Sequence, residues 1–239
     1  MNKRLFVVLL LVLAISSCKY RHGKHITGNG VPGTEQRNLT GFTGAETRGE
    51  IDIVVKQGDF SVKVEAEQNL LSYIETAVEH GRLIVRLRDG INLMDHHDAK
   101  VYVTAPVLTA FETHGSGKIS SQGRIADKSK MDIQVAGSGD IQLDLDCPEI
   151  ITATHGSGNI MLAGETKNLS CKISGSGNVE AANLKAENVK VSIHGSGNTA
   201  VFASESLDTD ISGSGNVHYK GDPKINNSTH GSGSVTRME

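Results

Sequence analysis

Four histidines recur at one position of a repeated motif and are the residues of this chain best suited to chemistry. The tripeptide Gly-Ser-Gly occurs seven times, and the residue before it alternates between histidine and a small residue. Imidazole can bind a metal ion, change charge near neutral pH or contact a ligand. The candidate surface binding column therefore comprises His114, His155, His194 and His230, which alternate with Ala136, Ser174 and Ser212.

The number of repeats in one coil of the fold decides whether these histidines meet. With one repeat per coil, successive histidines lie two coils apart, about 9.6 Å at the usual interstrand spacing. With two repeats per coil they stack at about 4.8 Å and can pair around a metal or act as a pH-sensitive stripe. A purely structural interpretation is that large and small residues alternate to relieve crowding, and we favour it.

Other candidate residues give weaker signals for catalysis or metal binding. His96 and His97 lie in the polar segment Asp95-His96-His97-Asp98, where adjacent loop residues seldom converge on one ion. The seven serines of the tripeptides lack a paired base, and the motif lacks the lysine and helix of a phosphate loop. We therefore expect a protein that is not an enzyme and needs no cofactor.

The spacing of the tripeptides predicts the architecture that positions the histidines. Successive copies begin 22, 19, 19, 20, 18 and 18 residues apart. A fixed period of about 18–22 residues indicates stacked coils. Positions two and six residues before each first glycine are mostly apolar or threonine, while alternate positions are polar. The prediction is an all-β parallel β-helix or β-solenoid, with glycine at the corners. The residues after the corners can form a hydrogen-bonded ladder: Asn159, Asn178, Asn198 and Asn216.

The region ahead of the repeats also reads as β-structure. We assign residues 37–237 to one domain, with an N-terminal β part at 37–106 and the repeats at 107–237. Within the first part, the pattern predicts a hairpin turn at Gln57-Gly58-Asp59 and one short helix over residues 68–77. Residues 18–36 are polar and rich in glycine, which predicts a flexible tether.

Residues 1–17 have the features of a lipoprotein signal peptide. Lys3 and Arg4 precede an apolar run from Leu5 to Ile15 that is shorter than the roughly 20 residues of a membrane-spanning helix. The run leads into Ser16-Ser17-Cys18, which resembles the bacterial lipobox, so we expect lipid on Cys18. An ordinary secretory signal with an incidental cysteine is the alternative. The expected location is the periplasmic face of the outer membrane, with exposure on the cell surface as the alternative.

The charge and the cysteines of the chain indicate whether it can bind nucleic acid and whether it can form a disulfide. Loss of Lys3 and Arg4 with the signal peptide leaves 22 basic residues against 27 acidic ones, a net charge of −5. Such a chain has no basic patch for nucleic acid. An exported protein can form a disulfide, but the spacing of Cys147 and Cys171 does not establish one. Cys171 falls at an inward position, which predicts a buried thiol.

An ordered set of motifs precedes and includes the repeats. Arg37-Asn38-Leu39, Ile53–Gly58, Gly81–Val85 and Val101–Leu108 lead into the first His-Gly-Ser-Gly. With these motifs the chain resembles, over roughly residues 37–237, the family "putative auto-transporter adhesin, head GIN domain" (DUF2807), common in Bacteroidetes as secreted proteins and lipoproteins. The resemblance implies a β-solenoid and an adhesin-like role, and it supplies no catalytic residues.

We therefore expect a non-catalytic, lipid-anchored adhesin-like or scaffolding protein of the cell envelope. Its expected partners are the membrane, through the lipid, and a polysaccharide or an envelope protein. The alternatives are a glycan-binding or glycan-degrading protein, or a metal or pH sensor that uses the histidine column.

Overall fold

The computed structural model describes residues 23–94 and 98–239, which form nineteen β-strands and one turn of 3-10 helix at Leu71–Tyr73. The strands are β1 (Lys24–Thr27), β2 (Pro32–Arg37), β3 (Gly44–Gly49), β4 (Asp52–Gln57), β5 (Ser61–Glu67), β6 (Ile74–Glu79), β7 (Arg82–Leu87), β8 (Ile91–Met94), β9 (Lys100–Ala105), β10 (Ala110–Gly115), β11 (Ile119–Ala126), β12 (Met131–Gly137), β13 (Ile141–Gly156), β14 (Asn159–Gly175), β15 (Asn178–Gly195), β16 (Thr199–Gly213), β17 (Val217–Lys220), β18 (Lys224–Gly231) and β19 (Val235–Arg237).

The strands stack into a β-solenoid with two long sheets, as the repeat predicted. The pre-corner sheet holds the segments that end at a corner glycine, preceded by the hairpin of β6 and β7. Its order is β6, β7, β3, β10, β12, β13, β14, β15, β16, β18. The post-corner sheet has the order β2, β5, β9, β4, β11, β13, β14, β15, β16, β17, β19. Strands β13 to β16 run through both sheets, so each Gly-Ser-Gly repeat makes one coil.

Alternation along each strand builds the core between the two sheets. The residues four before each first glycine lie in register with one another and are buried from β10 to β16. They are Phe111, Ile133, Thr152, Cys171, Val191 and Thr209. After Phe111, each coil therefore adds a thin layer of β-branched and small side chains, and burial of this surface stabilises the stack.

The N-terminal part supplies the first levels of the solenoid. Strands β3 and β4 form a level joined at Gly49, which lies in register with Gly115 of the first tripeptide. The predicted hairpin at residues 57–59 is wrong, because β9 lies between β4 and β5 and pairs with both. A hairpin prediction uses only neighbouring sequence, whereas β9 enters the sheet from more than 40 residues away.

Two further N-terminal segments differ from the sequence prediction. Helical structure within residues 68–77 is limited to the 3-10 turn, since the chain pairs with β7 as β6 from Ile74 onward. Within residues 18–36, β1 pairs with β8 and β2 pairs with β5, so part of the predicted tether forms strands.

Both cysteines that the structure describes are free and buried. Burial raises the pKa of the Cys171 thiol to about 12 and that of the Cys147 thiol to about 11. The predicted buried thiol at Cys171 is confirmed. Over residues 23–94 and 98–239, no helix is long and apolar enough to cross a membrane.

Candidate functional site

The corner next to each histidine is fixed by its glycines. At the corner that starts at Gly156, the φ angle of Gly156 is +122°, a conformation that favours glycine. The backbone N–H groups of Ser157 and Gly158 both donate to the carbonyl oxygen of Gly137 in the preceding coil, at 2.9 and 3.0 Å. The same pair of bonds is made at the corners that start at Gly115, Gly137, Gly175 and Gly195, and the serine N–H alone donates at the last two corners. The tripeptides thus hold successive coils in one register.

These bonds also decide whether the corners can bind anions. A backbone nest binds an anion through N–H groups that point outward and have no other acceptor. At Ser138 and Gly139, for example, both N–H groups are already bonded to the carbonyl oxygen of Gly115 at 2.8 Å. The corners are therefore structural, in agreement with the missing phosphate-loop lysine.

The register resolves how the histidines are arranged. His155 pairs with Ala136 on one side and Ser174 on the other, and His194 lies between Ser174 and Ser212. One repeat thus makes one coil, and successive histidines of the column lie about 9.6 Å apart. All four histidines of the column are exposed.

The distance between successive histidines decides whether two of them can bind one metal ion. Two nitrogen ligands of one ion each lie about 2.0–2.1 Å from it, and parallel side chains two coils apart do not approach that closely. In the part of the chain that the structure describes, no group of three or more His, Cys, Asp or Glu side chains could hold a metal. The column is instead a row of separate imidazoles with a small residue between each pair.

One histidine of the column belongs to a network of charged side chains. The His114 Nε2 atom lies 2.6 Å from a Glu112 carboxylate oxygen and 3.8 Å from one of Glu46. Arg48 lies in register with His114 and extends the column by one residue. Arg48 Nε donates to Glu46 at 2.5 Å, and Arg82 bonds to Glu112 and lies 3.7 Å from Glu46.

The network explains how a carboxylate is buried on this face. The Glu46 side chain is only 6% exposed, and an unpaired charge there would be costly. The hydrogen bond that Arg48 donates to Glu46 raises the pKa of the Arg48 guanidinium above its ordinary value, so this cation stays charged beside the buried side chain. This end of the column is therefore a compact, internally paired surface, unlike the open row from His155 to His230.

A ladder of asparagines supports the corners from the next position along the chain. The Asn178 Nδ2 atom donates to Asn159 Oδ1 at 2.9 Å, and Asn178 Oδ1 accepts from the Asn198 backbone N–H at 3.0 Å. Asp140 and Ser234 continue the ladder at its two ends. The predicted ladder is confirmed, and its bonds join successive coils at the edge beside the histidines.

The remaining predicted site residues lie outside the described residues. Cys18 precedes residue 23, and His96 and His97 fall in the gap between residues 94 and 98. Lipidation and the low-ranking metal site therefore stay predictions. The sequence pattern missed Arg48, because Gly49 is followed by Glu50 instead of Ser-Gly. The sequence does contain one signal for Arg48. Thr47 lies two residues before Gly49, just as Thr113 lies two residues before Gly115.

Comparison with known proteins agrees with this architecture. A crystal structure of a putative adhesin from Bacteroides fragilis aligns with a TM-score of 0.84 and 24% identity, over 89% of this chain and 100% of that one. A putative lipid binding protein from Parabacteroides distasonis aligns with a TM-score of 0.74 and 27% identity, over 90% and 100% of the two chains. A putative adhesin from Parabacteroides merdae aligns with a TM-score of 0.69 and 21% identity, over 90% and 99%.

Among curated proteins, no sequence match was found. The family model of the putative auto-transporter adhesin, head GIN domain, matches residues 41–223, which is most of the chain. The chain therefore belongs to the family described as putative auto-transporter adhesin, head GIN domain.

Proposed function

We propose that this protein is a lipid-anchored, non-catalytic adhesin-like or scaffolding module of the cell envelope. Family membership supports the adhesin-like role. The finer parts of the proposal are the anchor at Cys18, the periplasmic face of the outer membrane and the use of the histidine column as the binding surface.

The observation that carries the proposal is the register of the column. From Ala136 to His230, exposed imidazoles alternate with small side chains on a continuous, hydrogen-bonded sheet. A rigid surface loses little conformational entropy on binding. Its histidine and small-residue positions repeat along the coil axis, which suits an extended polymer or a second protein with a repeated surface.

Adhesion can be measured with beads coated with the full chain and presented to surfaces of mucin or purified outer-membrane vesicles. The wild type is expected to adhere to one of these surfaces. The triple variant His155→Ala/His194→Ala/His230→Ala is expected to adhere at least tenfold less. The matched control is His25→Ala/His218→Ala, which removes histidines outside the column and is expected to adhere like the wild type.

Two results would contradict the proposed surface. Adhesion by the triple variant at the wild-type level would exclude the column as the binding site. Failure of the wild type to adhere to either surface would count against the adhesin-like role itself.

The anchor has its own test. Fractionation of cells that make the wild type is expected to place the protein with the outer membrane, labelled by palmitate. Cys18→Ser is expected to lose the label and leave the membrane fraction. Protease treatment of intact cells then distinguishes the periplasmic face, which protects the protein, from the outer surface. Unlabelled wild-type protein would contradict lipidation.

A further inference from the structure

A groove of about 710 Å³ lies at the far bends, which are the bends of the coils opposite the Gly-Ser-Gly corners. Its floor is a column of small buried residues in register, namely Cys147, Thr166 and Ala186. Larger side chains rise on both sides of this column. Because residues in register stack along the coil axis, the groove runs parallel to that axis.

The two walls carry most of the polar groups of the groove. One wall is a register column, and its members are Asp146, Glu165, Lys185 and Phe202. The other wall consists of the residues that follow the floor residues, Pro148, Lys167 and Glu187. From Asp127 to Phe202 the groove crosses five coils, a length of about 19 Å at the usual strand spacing.

We propose that this groove binds a segment of a linear, uncharged oligosaccharide. The site is separate from the histidine column, so the proposal does not depend on the adhesin-like function. Volumes of about 300–1,000 Å³ with a few convergent polar groups are typical of ligand sites.

The balance of charge favours an uncharged ligand. Four carboxylates line the groove together with three ammonium groups, Lys128, Lys167 and Lys185. Opposite charges interleaved in this way offer little net attraction to a polyanion or a polycation.

The polar side chains in the middle of the groove are available to a ligand. Among the described residues, Glu165, Lys167, Lys185 and Glu187 form no salt bridge or side-chain hydrogen bond with one another or with a neighbour. Carboxylates accept hydrogen bonds and ammonium groups donate them. A sugar ring, whose hydroxyls both donate and accept, is complementary to such alternating groups.

The backbone around the groove argues against an extended peptide. Strands β13, β14 and β15 are each paired on both sides, so no strand edge is open beneath the groove. A bound peptide could not add to the sheet, and its own N–H and C=O groups would depend on side chains alone. An oligosaccharide carries no such backbone groups.

Phe202 supplies the apolar contact that a sugar ring also needs. It follows Lys185 in the wall column and is half-buried, so part of its surface is open to the groove. The apolar C–H face of a pyranose can pack against such a ring while its hydroxyls reach the polar walls.

The test is calorimetric titration of the full chain with cellohexaose, mannohexaose and chitohexaose, and with an oligogalacturonate of the same length as an anionic comparison. At least one neutral oligosaccharide is expected to bind, and more tightly than the oligogalacturonate. Phe202→Ala and the double variant Glu165→Gln/Lys185→Met are each expected to raise Kd tenfold or more. His25→Ala/His218→Ala, which lies outside both the groove and the histidine column, is the matched control and is expected to leave Kd unchanged.

Thermal unfolding monitored by circular dichroism establishes that each variant is folded. If Phe202→Ala unfolds, the exposed pair Glu165 and Lys185 still provides the test. The proposal is overturned if none of the neutral oligosaccharides binds, if the anionic one binds more tightly, or if the folded groove variants bind like the wild type.

Discussion

Gly156 lies directly over Gly137 in the stack, and a β-carbon added to Gly156 would lie 2.5 Å from the carbonyl oxygen of Gly137. That oxygen accepts both N–H groups of the next corner, so it cannot move away without breaking two hydrogen bonds. The corner glycines are therefore required by the distance between coils as well as by their dihedral angles.

Gly156→Ala is accordingly expected to destabilise the protein. The strained φ angle alone costs about 1–3 kcal/mol, and the contact with Gly137 adds to it. The midpoint of urea unfolding should fall clearly below that of the wild type. Ser157→Ala at the same corner is the matched control, because Ser157 is exposed and such changes stay within about 0.5 kcal/mol. Equal midpoints for the two variants would contradict this account of the corner.

The ladder of amides makes a second contribution that can be measured separately. Asn178→Ala removes the donor to Asn159 Oδ1 and the acceptor for the Asn198 backbone N–H. Each lost hydrogen bond with a partly buried partner costs about 1 kcal/mol, so we expect a loss of about 2 kcal/mol in the free energy of unfolding. Ser234→Ala at the end of the ladder leaves the inner bonds intact and should cost less. Equal midpoints of urea unfolding for Asn178→Ala and the wild type would contradict a stabilising role of the ladder.

The solenoid itself could be predicted because the tripeptide marks the same point of every coil. Aligning the copies aligns the hydrogen-bonding register, since Gly115, Gly137 and Gly156 stack directly. The inward positions then follow from the alternation of the strands. Whether one coil held one repeat or two was undetermined by the sequence, and with it the distance between the histidines.

The N-terminal levels were harder to predict because long-range pairing overrides the local pattern there. Leu70, Leu71 and Ile74 have helical spacing, yet Ile74 begins a strand that pairs with Leu87. The groove was also missed. Its floor residues form no pattern in the sequence, and only the register of three coils reveals that Cys147, Thr166 and Ala186 form one depression.

The buried thiol of Cys171 gives a pH dependence with a definite sign. Desolvation raises its pKa from 9.0 to about 12 in the folded protein. Between these values the unfolded chain has lost the proton and the folded one keeps it. The stabilising contribution is therefore complete below pH 9.0 and is lost as the pH rises toward 12. The expected slope is about 1.4 kcal/mol per pH unit for this thiol.

Urea unfolding on either side of pH 9.0 checks this slope, with Cys171→Ala as the comparison. The variant should be less stable overall because of the cavity, yet its stability should fall less steeply with pH. In addition, iodoacetamide should alkylate Cys171 only when the protein unfolds. Rapid alkylation of Cys171 in the native protein, or equal pH slopes for both chains, would contradict its burial.

The turn between β6 and β7 offers a stabilising substitution. His80 has a φ angle of 51° and is followed by Gly81 at 77°, so this two-residue turn places both residues in the left-handed region. Such hairpin turns favour asparagine before glycine, because asparagine tolerates that region better than other residues. His80→Asn is therefore expected to raise the free energy of unfolding by about 0.5 kcal/mol. For a chain of this size the melting temperature should rise by about 1–2 °C.

The control is Gly81→Ala, which should lower the melting temperature because alanine does not tolerate the left-handed φ angle. A fall in melting temperature for His80→Asn would show that the histidine ring makes a contact worth more than the strain it imposes.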